Sequence, residues 1–308
     1  MTVTVGSLCT GIGGLDHSLT IAGLDTHPVF VSDIDPGACA WLEANSTAPN
    51  LGDFTALDEL PPVDILTAGF PCQPLSSAGQ RKGLNDDRWL FDDICRLIGR
   101  METRPVVFLE NVPGLLTANG GHAMAAVVYG LAAIGYRLDY GTLEAAAVGA
   151  PHRRRRWWGI ATPENTDSEP RSQWWISTPA ETESRRPRPD TGGRNRAHVA
   201  DTNSNRRPCG DTQQLRPRHQ QTPDFARSSD RFGQYAATVT RWEHVTGRPA
   251  PDPTTDGRLS PHFVEWMMGY PAGWVTDTLT NRRQALHALG NAVVPQCAAA
   301  AFTQLSAR

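Results

Sequence analysis

No run of apolar residues in the 308-residue chain approaches membrane-spanning length, and Met1 leads directly into Thr2-Val3-Thr4-Val5 with no basic region. Neither a spanning helix nor a secretory leader is expected, so the chain is expected to be soluble and cytoplasmic, with no membrane partner. The six cysteines, at 9, 39, 72, 95, 209 and 297, form no C-x-x-C pair and no zinc-like spacing with the nine histidines. Metal sites and a disulfide framework are therefore set aside. Hydrophobic residues make up 39% of the chain, a little low, so part of it is expected to pack poorly. Lysine is missing from residues 153–258, where all 19 basic residues are arginine against 13 acidic ones, a net of +6. The remainder carries a net of −9, and the whole chain −3. A basic middle in an acidic frame fits a polyanion partner, and it fits a solvated arginine-rich loop as well.

What is present alternates between short apolar runs and helical stretches, in a length that suits one large domain or two modest ones. Thr2 to Leu8 is rich in β formers and is followed at once by Gly11-Ile12-Gly13-Gly14 and a helical stretch from Leu15 to Ala22. Strand, glycine turn and helix make the context of a nucleotide-type cofactor loop, although glycines also simply make tight turns. Val29-Phe30-Val31 predicts a second strand, with Asp33 at its carboxyl end, about twenty residues after the glycines, placed to accept from ribose hydroxyls. A helix over Ala38 to Asn45 follows. Val63 to Ala68, bounded by Pro62 and Gly69, predicts a buried parallel strand. It delivers Gly69-Phe70-Pro71-Cys72-Gln73-Pro74, so Cys72 stands just past a strand's carboxyl end, where open α/β sheets bind ligands. Pro71 and Pro74 fix two φ angles beside the thiol. A stiffly held nucleophile and a buried structural cysteine both fit this placement.

Ser76-Ser77-Ala78-Gly79 is a polar loop able to close over a bound base. Asp87 opens a helix to about Arg100, with Leu90, Ile94, Leu97 and Ile98 on one face. Pro105 to Leu109 predicts another strand and ends in Glu110-Asn111-Val112-Pro113. Glu110 either shares the site at the sheet end, where burial would raise its pKa, or caps the helix that follows. A helix over Ala123 to Ile134 precedes two strands, Leu138 to Leu143 and Trp157 to Ile160, separated by Pro151-His152 and four arginines. Along an extended chain Arg154 and Arg156 share one face, taken as inward, and Arg153 and Arg155 the other. Periodicity disappears from Pro163 to about Gln221, as in a linker or disordered segment. It returns with a short helix from Tyr235 to Val245, and Pro249 to Pro253 form a stiff connector. Ser260 caps a helix starting at Pro261, apolar on Phe263, Val264, Met267 and Met268, that ends at Gly269-Tyr270-Pro271. Leu289-Gly290-Asn291-Ala292-Val293 leads into an alanine-rich helix to Leu305.

The stretch Gly69-Phe70-Pro71-Cys72-Gln73-Pro74-Leu75-Ser76 resembles the nucleophile motif of the DNA cytosine-5 methyltransferases, and further motifs follow in that family's order over nearly the whole chain apart from its middle third. The resemblance implies an α/β fold, a Rossmann-like S-adenosylmethionine-dependent methyltransferase sheet with a small, loop-rich target recognition domain. It divides the chain into a catalytic and cofactor-binding part over 1–162, a target recognition part over 163–257 that includes Trp174 and Trp175, and a segment over 258–308 that returns to the catalytic part. S-adenosyl-L-methionine is the implied cofactor, bound by Gly11, Gly13, Asp33, Asp53, Phe54, Leu90, Asn291 and Val293. Asp53 and Phe54 would receive the adenine, and Leu90 also fits simple core packing. Catalysis is implied for Cys72, Glu110, Arg154 and Arg156. Two positions depart from the family: Cys9 replaces a phenylalanine that would stack on adenine, and His152 replaces the glutamine of Pro-Gln-x-Arg-x-Arg.

The implied chemistry starts with a thiolate adding to carbon 6 of cytosine, which makes carbon 5 nucleophilic toward the cofactor's methyl group. A protonated Glu110 neutralises charge at ring nitrogen 3, and Arg156 with Arg154 holds the base's carbonyl oxygen and Glu110. No residue is evident as the base that removes the carbon 5 proton. The implied partners are double-stranded DNA, whose cytosine must be extruded, and a cognate restriction endonuclease, with the protein acting as a monomer. An RNA cytosine-5 methyltransferase and a catalytically silent DNA-binding relative are the alternatives. An NAD-dependent dehydrogenase explains the glycines but not Cys72, Glu110 and the arginine pair.

Overall fold

The computed structural model describes residues 2–71, 89–164 and 231–307. Cys72, the loop from Ser76 to Lys82, the start of the helix expected from Asp87, and Trp174 and Trp175 lie outside the described residues. The centre is a six-stranded sheet in the order β2-β1-β3-β4-β6-β5, formed by β1 (Val3–Leu8), β2 (Thr26–Phe30), β3 (Ile65–Ala68), β4 (Val106–Asn111), β5 (Tyr136–Glu144) and β6 (Arg155–Pro163). β1 pairs in parallel with β2 and β3, and β3 with β4, while β6 runs antiparallel to both β4 and β5. All four residues of β3 are buried, as the short apolar run predicted.

Alternation along the strands divides the core into two apolar layers. Ile65, Phe108, Trp158 and Ile160 face one layer, and Leu66, Ala68, Val107, Leu109, Trp157 and Ala161 the other. The second layer is covered by α3 (Phe91–Arg100) and α4 (His122–Ala133), whose Ile94, Leu97, Val127 and Leu131 are buried in it. Packed on the first are α1 (Gly14–Ile21) and three helices from the end of the chain: α6 (Pro261–Met267), α7 (Arg282–Asn291) and α8 (Pro295–Ser306). α2 (Pro36–Asn45) begins on a side-chain cap, the Asp35 carboxylate accepting from Gly37 N (2.9 Å) and Ala38 N (3.0 Å), with Pro36 in the first turn.

The short helix expected near Tyr235 is α5 (Ala236–Thr246). Its Val239 and Trp242 are buried in the first layer, and Trp242 Nε1 donates to Trp266 O at 2.9 Å. A two-residue hairpin not foreseen from the sequence follows, β7 (Thr254–Thr255) and β8 (Arg258–Leu259), turning at Asp256-Gly257 with φ 51° and 71°. The capping role expected of Ser260 is corrected. Ser260 does stand at the N-cap, its backbone carbonyl accepting the first helical bond from Val264 N at 3.1 Å, but its side chain makes no cap bond. Residues 282–306 together have the length and composition to cross a bilayer, but extended backbone at Ala292 splits them into α7 and α8 and about half of the stretch is buried in the core.

Candidate active site

Four strands deliver their carboxyl ends to one cavity of about 720 Å³. Cys9 and Thr10 follow β1, Ser32 and Asp33 follow β2, Gly69 to Pro71 follow β3, and Glu110 and Asn111 end β4. This is the crevice in which open α/β sheets bind nucleotide-like ligands. The end of α7 and the start of the turn to α8, residues 290–293, close it from the other side.

At one end the glycine loop and Asp33 are bound to each other. Asp33 Oδ2 accepts from Gly11 N at 2.7 Å, and Oδ1 from Asp35 N at 2.9 Å. Gly11 and Gly13 have φ of 58° and 68°, a region that side chains other than glycine enter only with strain. A Cβ on Gly14 would run into the hydroxyl of Tyr270, so the helix start and the C-terminal segment meet only because that position is bare. Asp53 also lines the cavity, with Oδ1 accepting from Thr55 N (3.0 Å) and Thr55 Oγ1 (2.7 Å). Phe54 beside it is buried, and Arg96 of α3 anchors the turn by donating to Thr55 O and Leu57 O. Leu90, Asn291 and Val293 line the same cavity. Gly13 does not; it packs beneath, facing the indole of Trp41. At the departure from the family pattern, Cys9 has its thiol pushed up to about 12 by burial and then by Asp33 and Asp53, so it behaves as a small neutral group.

At the other end stands a half-buried ion pair. Arg156 Nε lies 2.8 Å from Glu110 Oε1, with side chains 18% and 12% exposed. Burial raises the Glu110 pKa above the ordinary carboxylate value, and Arg156 followed by Arg154 opposes the rise. Glu110 thus pairs with Arg156 on the cavity wall, and the N-cap of the helix that follows is Val112. As the alternation required, Arg153 and Arg155 are exposed, and Arg155 pairs with Glu144 at 2.7 Å. Arg154 turns inward but not to Glu110 or the cavity: its Nη2 donates to Gly290 O (2.9 Å) and Ala292 O (2.6 Å). His152, in place of glutamine, has both ring nitrogens buried without a hydrogen-bond partner, and burial together with the two arginines lowers its pKa to about 4.

Sequence reasoning passed over three residues of this site. Asn111 is buried and its Nδ2 donates to Phe70 O at 3.1 Å, fixing the segment that leads into Cys72. Its place beside Glu110 was the available signal. Ile34 lines the cavity while 69% exposed, an apolar side chain offered to a ligand beside Asp33. Glu265, inside the helix after Pro261, is buried and accepts from Gly273 N, Val275 N and Thr276 N, holding the loop that carries Trp274. Trp274 Nε1 in turn donates to Ile12 O in the glycine loop at 2.9 Å.

A mostly parallel sheet with β6 reversed, a glycine loop joined to an acidic residue, and a half-buried carboxylate–arginine pair in one crevice define an α/β fold of the class with a nucleotide-type ligand crevice. The sequence profile of the C-5 cytosine-specific DNA methylases matches residues 3–307, and the chain belongs to that family. The family's cofactor, S-adenosyl-L-methionine, is the one expected from the motifs. Among its relatives, the Type II methyltransferase M.MspI of Moraxella sp. is 37% identical over 158 residues, half of this chain and 37% of that protein. M.BsuFI of Bacillus subtilis, also a Type II methyltransferase, is 36% identical over 157 residues, half of this chain and 38% of that protein. The matched part of the chain thus spans well under two thirds of these relatives' own length. In fold, it resembles the crystal structure of the S. pombe Dnmt2 methyltransferase, with a TM-score of 0.57 at 17% identity over 98% of both chains.

Proposed function

We propose that the protein transfers a methyl group from S-adenosyl-L-methionine to carbon 5 of an extruded cytosine in double-stranded DNA, through a covalent adduct of Cys72. One observation carries the reading: a single cavity holds the Gly11–Asp33 end suited to a nucleoside and the Glu110–Arg156 pair suited to a pyrimidine, with Pro71, the residue before Cys72, on its wall. The cavity fits the cofactor's chemistry. Asp33 and Asp53 supply acceptors for ribose and adenine, Phe54, Leu90 and Ile34 supply apolar surface, and Asn291 and Val293 close the far side. When bound, the cofactor provides an electrophilic methyl group.

The chain's own residues do the rest. Cys72 adds to carbon 6, and the charge this places on ring nitrogen 3 is met by the proton of Glu110, whose burial keeps its proton affinity above that of an ordinary carboxylate. Arg156 holds Glu110 in place and, as the cation lining the cavity among the described residues, is assigned to receive the base's carbonyl oxygen. Asn111, through Phe70 O, restrains the backbone entering the Cys72 loop. After methyl transfer, loss of the carbon 5 proton and departure of the Cys72 thiolate release the product. Residues 163–257 are assigned the choice of target sequence, and their arginine-only basic character suits phosphate and guanine alike. Pairing with a restriction endonuclease, as the Type II class of its relatives supports, and action as a cytoplasmic monomer belong to the same reading. Incubation of the full chain with methyl-labelled cofactor and either unmethylated duplex DNA or RNA of the same sequence tests it. 5-Methylcytosine should appear in the DNA, and label confined to RNA, or absent from both, would overturn the assignment.

A further inference from the structure

The two inward arginines ahead of and within β6 have different partners, and this separates their roles. Arg156 goes to Glu110, whereas Arg154 reaches across to the end of α7 and the start of the turn to α8. The last carbonyls of a helix have no intrahelical donor. Arg154 supplies one to Gly290 O (2.9 Å) and to Ala292 O (2.6 Å), and a cation at a helix C-terminus is favoured by the aligned peptide dipoles. One residue further, Val293 O accepts from the buried Tyr270 hydroxyl at 3.0 Å. Three carbonyls within four consecutive residues are thus held by side chains from outside the turn. Those four residues, 290–293, all line the cavity. Arg154 itself does not line it. The same Tyr270 hydroxyl packs against Gly14, so the clamp also touches the start of α1. Arg154 is in turn fixed at its backbone, Ala145 N donating to Arg154 O at 2.9 Å.

We propose that Arg154 is a positioning residue for the cofactor half of the site, holding with Tyr270 the 290–293 turn in its binding conformation, while Arg156 alone of the pair serves the base. This rests on the methyltransferase reading above. It also divides a motif whose two arginines were expected from the sequence to act together on the base.

The test compares full-length wild type, Arg154→Gln, Arg154→Lys, Tyr270→Phe and Arg156→Gln, each first checked for a cooperative thermal melt. S-adenosyl-L-homocysteine affinity is measured by calorimetry, and single-turnover methyl transfer to duplex DNA at saturating cofactor. Loss of two charge-assisted bonds should raise the dissociation constant of Arg154→Gln by roughly tenfold or more, with the saturated rate near that of wild type. Tyr270→Phe, which loses one neutral bond, should show a smaller rise of the same kind, and Arg154→Lys should recover part of the affinity. Arg156→Gln should show the reverse pattern, a lost rate with affinity kept. Unchanged affinity in Arg154→Gln and Tyr270→Phe, or a saturated rate in Arg154→Gln as low as in Arg156→Gln, would overturn the division of roles. A wild-type chain that binds no S-adenosyl-L-homocysteine would overturn the functional reading itself and the proposal with it. Should Arg154→Gln fail to fold, Tyr270→Phe and Arg154→Lys decide, since neither removes a charge.

Discussion

Removing Arg156 should make stability depend on pH in a way that reports directly on Glu110. The two side chains are 12% and 18% exposed and meet at 2.8 Å, so Arg156→Ala leaves an ionised Glu110 without its cation. Breaking a fully buried pair from one side costs about 3–5 kcal/mol, and about 3 kcal/mol applies to this half-buried one. In a chain of this size each kcal/mol moves the melting temperature by about 2–4 °C, so the loss is on the order of 10 °C. That cost applies only while Glu110 is charged. Its folded pKa is already raised by burial, and deleting Arg156 removes a major lowering influence, so it rises further. A carboxyl whose folded pKa exceeds its unfolded value contributes stability that is present at low pH and lost as pH rises through the folded pKa. Against wild type, Arg156→Ala should therefore lose about 1–2 kcal/mol at pH 5, from lost packing and one hydrogen bond, and the larger amount at pH 8. Adding Glu110→Gln should abolish that pH dependence. Thermal melts of wild type, both single variants and the double variant across this range provide the measurement. An equal loss at pH 5 and pH 8 in Arg156→Ala would refute the reasoning, because Glu110 would then not be the group that responds.

Three further outcomes are expected. Asp33→Ala should weaken S-adenosyl-L-homocysteine binding by about 1–3 kcal/mol, since it removes the proposed ribose acceptor and also frees the Gly11 amide now bound at 2.7 Å; unchanged affinity by calorimetry would reject the assignment. Asp16, which accepts from Thr67 of β3 at 2.6 Å, is raised by burial from 3.8 to about 6. Wild type should therefore lose about 2 kcal/mol between pH 4 and pH 7 relative to Asp16→Asn, after allowance for solvent at its exposed edge, and parallel melting profiles would contradict this. Transplanting residues 163–257 into a related enzyme of known target should carry sequence preference with it, and a folded, active chimera that keeps its original target would place recognition elsewhere.

Much of the frame was legible because short apolar runs and glycine or proline boundaries are local signals. β3, the Gly11–Gly14 loop, the placement of Asp33 and the inward face shared by Arg154 and Arg156 follow from period, spacing and burial alone. Glu110 as the partner of Arg156 was expected from the family resemblance, but the partners of Arg154 were not legible. Whether an inward arginine meets a carboxylate or two carbonyls some 140 residues away depends on how the C-terminal helices pack on the sheet, and no pattern within 151–156 encodes that. Ser260 misled because a serine before a proline normally caps, whereas here the residue is buried and its hydroxyl makes no cap bond. Asn111 and Glu265 were hidden for a different reason. Their work is to hold neighbouring backbone, through Phe70 O in one case and through Gly273 to Thr276 in the other, and such contacts leave no spacing to recognise.

The central claim is that Cys72 attacks cytosine in DNA, and trapping tests it most directly. A duplex carrying 5-fluorocytosine within the target sequence cannot lose the substituent at carbon 5 as a proton, so after methyl transfer the adduct should persist. With S-adenosyl-L-methionine present, wild type should form a protein–DNA complex that survives denaturing electrophoresis, with the cross-linked peptide mapping to Cys72. Cys72→Ala should form none while still binding S-adenosyl-L-homocysteine. A denaturant-stable complex formed equally by Cys72→Ala, or methyl transfer by that variant near the wild-type rate, would contradict the account.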